Sequence, residues 1–159
     1  MKQFAMVLWI GLISFNCLGQ NPDFTQKLMG AWSASGTAFG KPAKVEMIWT
    51  TVLKHFSRIE YKIMTPDPDS KIVFEGTAYY KQNGVNSYGG TWFDSGGEVH
   101  SIQATNDQTT LTSIWGKPEG KFGKTIYKLI GENELEISDY IMTKEGAWRE
   151  FSKNVLSKN

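Results

Sequence analysis

Cysteine is all but absent from this chain: its 159 residues hold one, Cys17, within the first twenty. That excludes a disulfide framework for everything downstream, and with it a cysteine nucleophile or a thiolate metal site there. Histidine is scarce too. His55 and His100 are the only two, on separate segments with no third ligand and no zinc-like spacing, so no metal is expected. Charge of one sign is also lacking, since 17 lysines and arginines are interspersed with 16 acids for a net charge of +1. Nothing basic is offered to nucleic acid, and no polybasic tail to anionic lipid. No apolar run reaches the ~20 residues of a membrane-spanning helix, so no transmembrane segment is expected. Catalytic signatures are missing in turn: there is no G-x-S-x-G elbow, no H-E-x-x-H, no P-loop and no G-x-G-x-x-G. The glycines of "SGG" (95–97) and "GKPEGKFG" (116–123) lead into no helix that could receive phosphate, and read as turns.

The first twenty residues, "MKQFAMVLWIGLISFNCLGQ", have a lysine at position 2, an apolar run from Phe4 to Phe15 and a short polar exit. This is the layout of a secretory signal peptide spanning residues 1–19, with a cut that leaves Gln20 first and places the protein outside the cytoplasm, secreted or periplasmic. A rival reading attaches lipid at Cys17. Phe15 and Asn16 argue against it, being bulky or polar where small residues are expected. About 140 residues remain (20–159), enough for one domain with a core that needs no disulfide.

What the chain has in plenty is aromatic side chains, with six Trp, six Tyr and nine Phe. "NPDFTQKLMG" is the one plausible helix, capped by Asp23, with Phe24, Leu28 and Met29 on one face and Gly30 as its stop. Ten strands are predicted after it: 32–39, 44–53, 55–64, 72–80, 87–93, 99–104, 110–115, 125–130, 135–142 and 147–155. Turn chemistry separates them, including the two prolines of "TPDPDS" and the Asn83-Gly84 hairpin signal. Short strands joined by tight turns imply an antiparallel meander. Closure removes its two open edges, so the expected fold is all-β: a single ten-stranded up-and-down barrel with a short N-terminal helix.

Alternation assigns the inner faces. His55, Ser57, Ile59, Tyr61 and Ile63 form one inward set, and Ile72, Phe74, Gly76, Ala78 and Tyr80 another. Leu135, Ile137, Asp139 and Ile141 form a third, and Arg149 with Phe151 a fourth, opposite Trp148, Glu150 and Ser152. Two of these inward residues are charged. A lone buried carboxylate or guanidinium is costly, so Asp139 and Arg149 are expected to pair. The pair would be a polar handle for a carboxylate, hydroxyl or carbonyl of a ligand, or a closure pair at the barrel end, or Asp139 would lie at the rim. Tyr61, Tyr80, Trp92, Trp115 and Tyr127 join Asp139 and Arg149 as candidate ligand-binding residues, with Trp49 a further aromatic of the same kind. The plainer alternative makes half of these aromatics ordinary packing.

The stretch "GAWSASG" (Gly30, Trp32, Gly36), the run "FEGTAYYKQNGVNSYGGTWFDSGG" and the late "WREF" resemble the calycin superfamily. The likeness is to its small fatty-acid-binding-protein-like and nitrobindin-like bacterial barrels, including secreted lipocalin-like domains, and it covers Phe24 to Val155. It implies that Gly30 and Trp32 close the barrel floor, with the tryptophan covered by an arginine from a late strand. Arg149 is the only arginine in the second half of the chain and so the candidate. In the intracellular fatty-acid binders a final-strand Arg-x-Tyr holds the carboxylate; here Arg149-Glu150-Phe151 lacks the hydroxyl. Nitrobindin-like barrels ligate haem through a late histidine, and none follows His100, so neither haem nor another cofactor is expected.

The leading expectation is a barrel, monomeric or weakly dimeric, that binds a small hydrophobic or amphipathic molecule in its lumen and has no catalytic residue. A second is an isomerase, cyclase or hydrolase using Asp139, His55 or His100 as acid or base. A third is a module that contacts protein or glycan through Trp148 and the "GKPEGKFG" loop.

Overall fold

The computed structural model describes residues 23–159; the signal-peptide reading, with Cys17 and Gln20, lies outside them. One short helix, α1 (Thr25–Leu28), precedes β1 (Gly30–Ala38), β2 (Lys41–Val52), β3 (Phe56–Met64), β4 (Ile72–Gly84) and β5 (Ser87–Asp94). There follow β6 (Val99–Asn106), β7 (Thr110–Gly116), β8 (Phe122–Leu129), β9 (Glu134–Met142) and β10 (Trp148–Lys158). Every strand pairs antiparallel with its sequence neighbours, and β1 also pairs with β10, closing the sheet into a ten-stranded barrel. Odd-numbered strands rise from the end that α1 covers, the floor, and even-numbered strands descend to it. The turns after β1, β3, β5, β7 and β9 surround the opposite end, the mouth.

A single helical turn cannot stand alone in water. This one is held by what it plugs: Phe24 and Leu28 are buried in the barrel core, and the Phe24 N–H donates to the Tyr88 hydroxyl (2.9 Å). Asp23 does not take the cap position expected of it, which Phe24 occupies. Its carboxylate instead accepts from the Thr25 N–H (2.9 Å) and the Thr25 hydroxyl (2.6 Å), and that hydroxyl meets Ser57 of β3 (2.6 Å). Trp32 lies under the helix, fully buried, and its indole N–H donates to the Leu28 carbonyl (2.8 Å), one of the acceptors that a helix end leaves free.

The seam between β1 and β10 is stitched by a side chain. Backbone register runs through Trp32↔Lys158 and Ser33↔Ser157 near the floor and resumes at Ala38↔Ser152. Between them the Asn154 carboxamide accepts from the Thr37 N–H (3.1 Å) and donates to the Thr37 carbonyl (3.0 Å), standing in for a backbone partner. A Cβ at Gly36 would overlap that carboxamide, so glycine admits it. Asn154→Ala strips both Thr37 groups of their partners and is expected to cost about 2 kcal/mol, read from the urea midpoint at unchanged slope.

Two departures from the expected pattern come from bulges. β4 runs on to Gly84 and the chain reverses at Val85–Asn86, because the register shifts between Gln82 and Gly84 and makes Asn83 a bulge rather than half of a hairpin turn. On β10 the register shifts between Glu150 and Ser152. An inserted residue moves every later side chain to the opposite face, so Ser152, expected outside, is buried together with Asn154 and Leu156.

Candidate functional site

Below the mouth the lumen contains a cavity of about 360 Å³. Its lower boundary is a layer in which Trp49 packs against Tyr80 and Tyr127, with ring centroids 5.4 and 5.5 Å apart. Trp49 lies within this layer, buried beneath the cavity instead of on its wall.

Polar groups gather at the deep end. Asp139 on β9 is 7 % exposed and borders the cavity. The Trp115 indole N–H donates to the Thr125 hydroxyl (3.2 Å), which donates in turn to Asp139 Oδ1 (2.7 Å). An ionised carboxylate can only accept, so with Asp139 charged both bonds run toward it and Oδ1 is held as an acceptor. Oδ2 has no protein hydrogen bond among the described residues. Burial lifts the Asp139 carboxyl to about 6, with the Thr125 and Tyr61 hydroxyls opposing the rise. Tyr61 points its hydroxyl toward Asp139 and Ser152 without reaching ordinary hydrogen-bond geometry with either. Burial, reinforced by the Asp139 charge, pushes the Tyr61, Tyr80 and Tyr127 hydroxyls above the usual tyrosine range and keeps all three neutral. Tyr80 meets the Ser113 hydroxyl at 3.0 Å.

Trp92 and Trp115 line the upper wall, each laid over a glycine: a Cβ at Gly76 would overlap the Trp92 ring, and one at Gly123 the Trp115 ring. The missing side chains make slots that let two indoles lie against the sheet. Above them Phe74 stacks on Trp92 (6.3 Å, 12°), Phe39 meets Phe74 edge-on (6.3 Å), and Phe39 lies parallel to Phe151 (5.8 Å). Phe39 has φ +52° in the two-residue turn it shares with Gly40 (φ +73°), a left-handed conformation that an aromatic residue rarely adopts. The turn carries the Phe39 ring, half exposed, over the mouth. Charge at the mouth is mixed. Lys121 pairs with Glu98 (2.7 Å), His100 packs at a tilt against Trp115 (5.4 Å, 40°) with Nε2 3.9 Å from Glu98, and exposed Arg149 has no ion pair among the described residues.

Tyr61, Tyr80, Trp92, Trp115, Tyr127, Asp139 and Arg149 all border this cavity. Two of the expected pairings and one inward assignment fail. Arg149 sits at the mouth end of β10, whereas Trp32 is at the floor, so Arg149 cannot cover it; Lys158, at the far end of the same strand, places Nζ 5.1 Å from the Trp32 ring. Asp139 and Arg149 make no ion pair among the described residues: Asp139 is buried opposite Ser152, whereas Arg149, opposite Ile141 and nearer the mouth, is exposed. His55 is not inward: it is exposed in the floor-end turn before β3, at the opposite end of the barrel from His100. Among the described residues no three His, Cys, Asp or Glu side chains gather as a metal site. Trp148 is outside the barrel, packed on Phe122 (5.4 Å) with Lys124 Nζ 4.6 Å from its ring.

Several cavity residues were not singled out from the sequence. Ser113 and Thr125 share strand parity with Trp115 and Tyr127, and that signal would have found them. Phe39 and Lys121 come from turns, whose direction no alternation gives, and Asp94 is the last residue of β5.

No family model matches the chain, and no curated protein matches it. Fifteen solved chains do. One is the crystal structure of Rv2717c from M. tuberculosis, with a TM-score of 0.64 over 84 % of this chain and 93 % of that one at 16 % identity. At that identity the likeness shows a common fold and no more.

Proposed function

We propose that this is a secreted or periplasmic barrel of the calycin kind that holds a small, largely apolar molecule in its lumen. The observation that carries the reading is the cavity itself: about 360 Å³, open at the mouth, and walled chiefly by aromatic and aliphatic side chains. That volume falls at the small end of the ~300–1,000 Å³ range of ligand pockets. A guest that buries roughly 300 Å² of apolar surface would gain about 7 kcal/mol before the costs of association, so that contribution alone stays weaker than about 10 μM. Polar groups at the two ends would orient it.

The neutral probe N-phenyl-1-naphthylamine is expected to bind saturably with a rise in fluorescence. Ile141 borders the cavity from β9, so Ile141→Trp, which fills it, is expected to weaken binding at least tenfold while the protein stays folded by far-UV circular dichroism. Equal binding by the two proteins, or none by the unaltered one, overturns the reading. A second reading draws on Asp139, whose carboxyl at about 6 is poised to exchange a proton with a lumen-bound substrate near neutral pH. Turnover of such a substrate would disappear in Asp139→Asn.

A further inference from the structure

We infer that the ligand enters with a hydroxyl at its inner end, donated to Asp139 Oδ2, and that the lumen discriminates against guests whose inner end is a carboxylate. The inference rests on the lumen-binding reading and names the class of guest. Asp139 is the one ionisable acid among the deep residues of the cavity, since Asp94 belongs to the mouth. The Trp115–Thr125 chain occupies Oδ1, and the Tyr61 hydroxyl, which faces the carboxylate, stops short of hydrogen-bond geometry, so among the described residues Oδ2 has no donor in place. The groups that face Asp139 are Tyr61 from β3, Tyr80 from β4, Thr125 and Tyr127 from β8 and Ser152 from β10. None of them is a cation.

A ligand carboxylate at this depth would meet the Asp139 charge with no lysine or arginine to offset it, and like charges in a site of low polarity are strongly disfavoured. An ammonium would be attracted but would lose its hydration against a wall of neutral hydroxyls and rings, a desolvation that one carboxylate repays poorly. A hydroxyl loses little on burial and makes a charge-assisted hydrogen bond. Arg149 and Lys121 are at the mouth, so a guest that carries both a hydroxyl and an anionic group would point the anion outward.

Three probes of one shape decide the matter: 9-anthracenemethanol, 9-anthracenecarboxylic acid and 9-(aminomethyl)anthracene, titrated by fluorescence at pH 8. The alcohol is expected to bind at least tenfold more tightly than the carboxylate, and Asp139→Asn to bring the two within threefold. In the unaltered protein the same gap is expected to narrow at pH 5, where the probe acid stays ionised and Asp139 does not; this measurement needs no variant to fold. A carboxylate that matches the alcohol, or an amine that binds more tightly than the alcohol, overturns the inference. If N-phenyl-1-naphthylamine still binds, the lumen-binding reading survives that result. Failure of all four probes removes both.

Discussion

Replacing Trp32 by alanine is expected to destabilise the protein by about 4 kcal/mol and to lower the melting temperature by roughly 10–15 °C. Trp32 is 1 % exposed and belongs to one buried cluster with Phe24 and Leu28. Truncation removes the ring and opens a void at the floor. It also leaves the Leu28 carbonyl, which accepts from the indole at 2.8 Å, without a partner in a buried place. Trp32→Phe refills most of the volume but not the hydrogen bond, so its loss should be between one and two kcal/mol, about the cost of an orphaned buried acceptor. The comparison separates plug from hydrogen bond. If thermal unfolding of Trp32→Ala matches that of the unaltered protein, the floor is not held by this residue. The cavity should respond as well, since water admitted from below would weaken binding of an apolar probe.

Raising the pH from about 4 to 6 is expected to lower stability through Asp139. Its carboxyl titrates at about 6 in the folded protein and near the ordinary 3.8 when unfolded, so the folded state holds the proton more tightly. Below the lower value both states are protonated and the contribution is fully present. It is lost as pH rises through the upper one. Two pK units correspond to about 3 kcal/mol. Asp107 and Glu145, exposed carboxylates whose values are lowered by hydrogen bonds, act in the opposite direction at lower pH, so the decisive quantity is a difference. Asp139→Asn should unfold at higher urea than the unaltered protein at pH 8 and lose that advantage near pH 4. Parallel curves for the two proteins across this range would mean that Asp139 is not buried as the structure has it.

Much of the architecture is legible in the chain because barrel strands obey one simple rule. Where side chains alternate between core and water, as at Ser57, Ile59, Tyr61 and Ile63, the inner face can be read directly. The aromatic candidates were legible for the same reason: Tyr61, Tyr80 and Tyr127 keep the parity of their buried neighbours and meet on one lumen. The pairings between elements were not. Whether Arg149 reaches Trp32 depends on which end of the barrel each occupies: Trp32 lies near the start of β1 at the floor and Arg149 near the start of β10 at the mouth, which follows from alternating strand direction and not from inward-outward parity. Bulges defeat parity outright, since one inserted residue at Phe151 turns Ser152 and Asn154 inward with no local mark in the sequence.

By itself, then, the sequence determined the number of strands, their antiparallel order and which residues are aromatic enough to wall a lumen, because hydrophobic alternation and turn residues act over a few positions along the chain. Only the tertiary structure decided that Lys158 covers Trp32, that Asn154 closes the seam, and that Asp139 is buried in the cavity wall without an ion pair to Arg149 among the described residues. These depend on where closure of the barrel sets the last strand against the first. That offset is a property of ten strands wound together, and no short segment contains it.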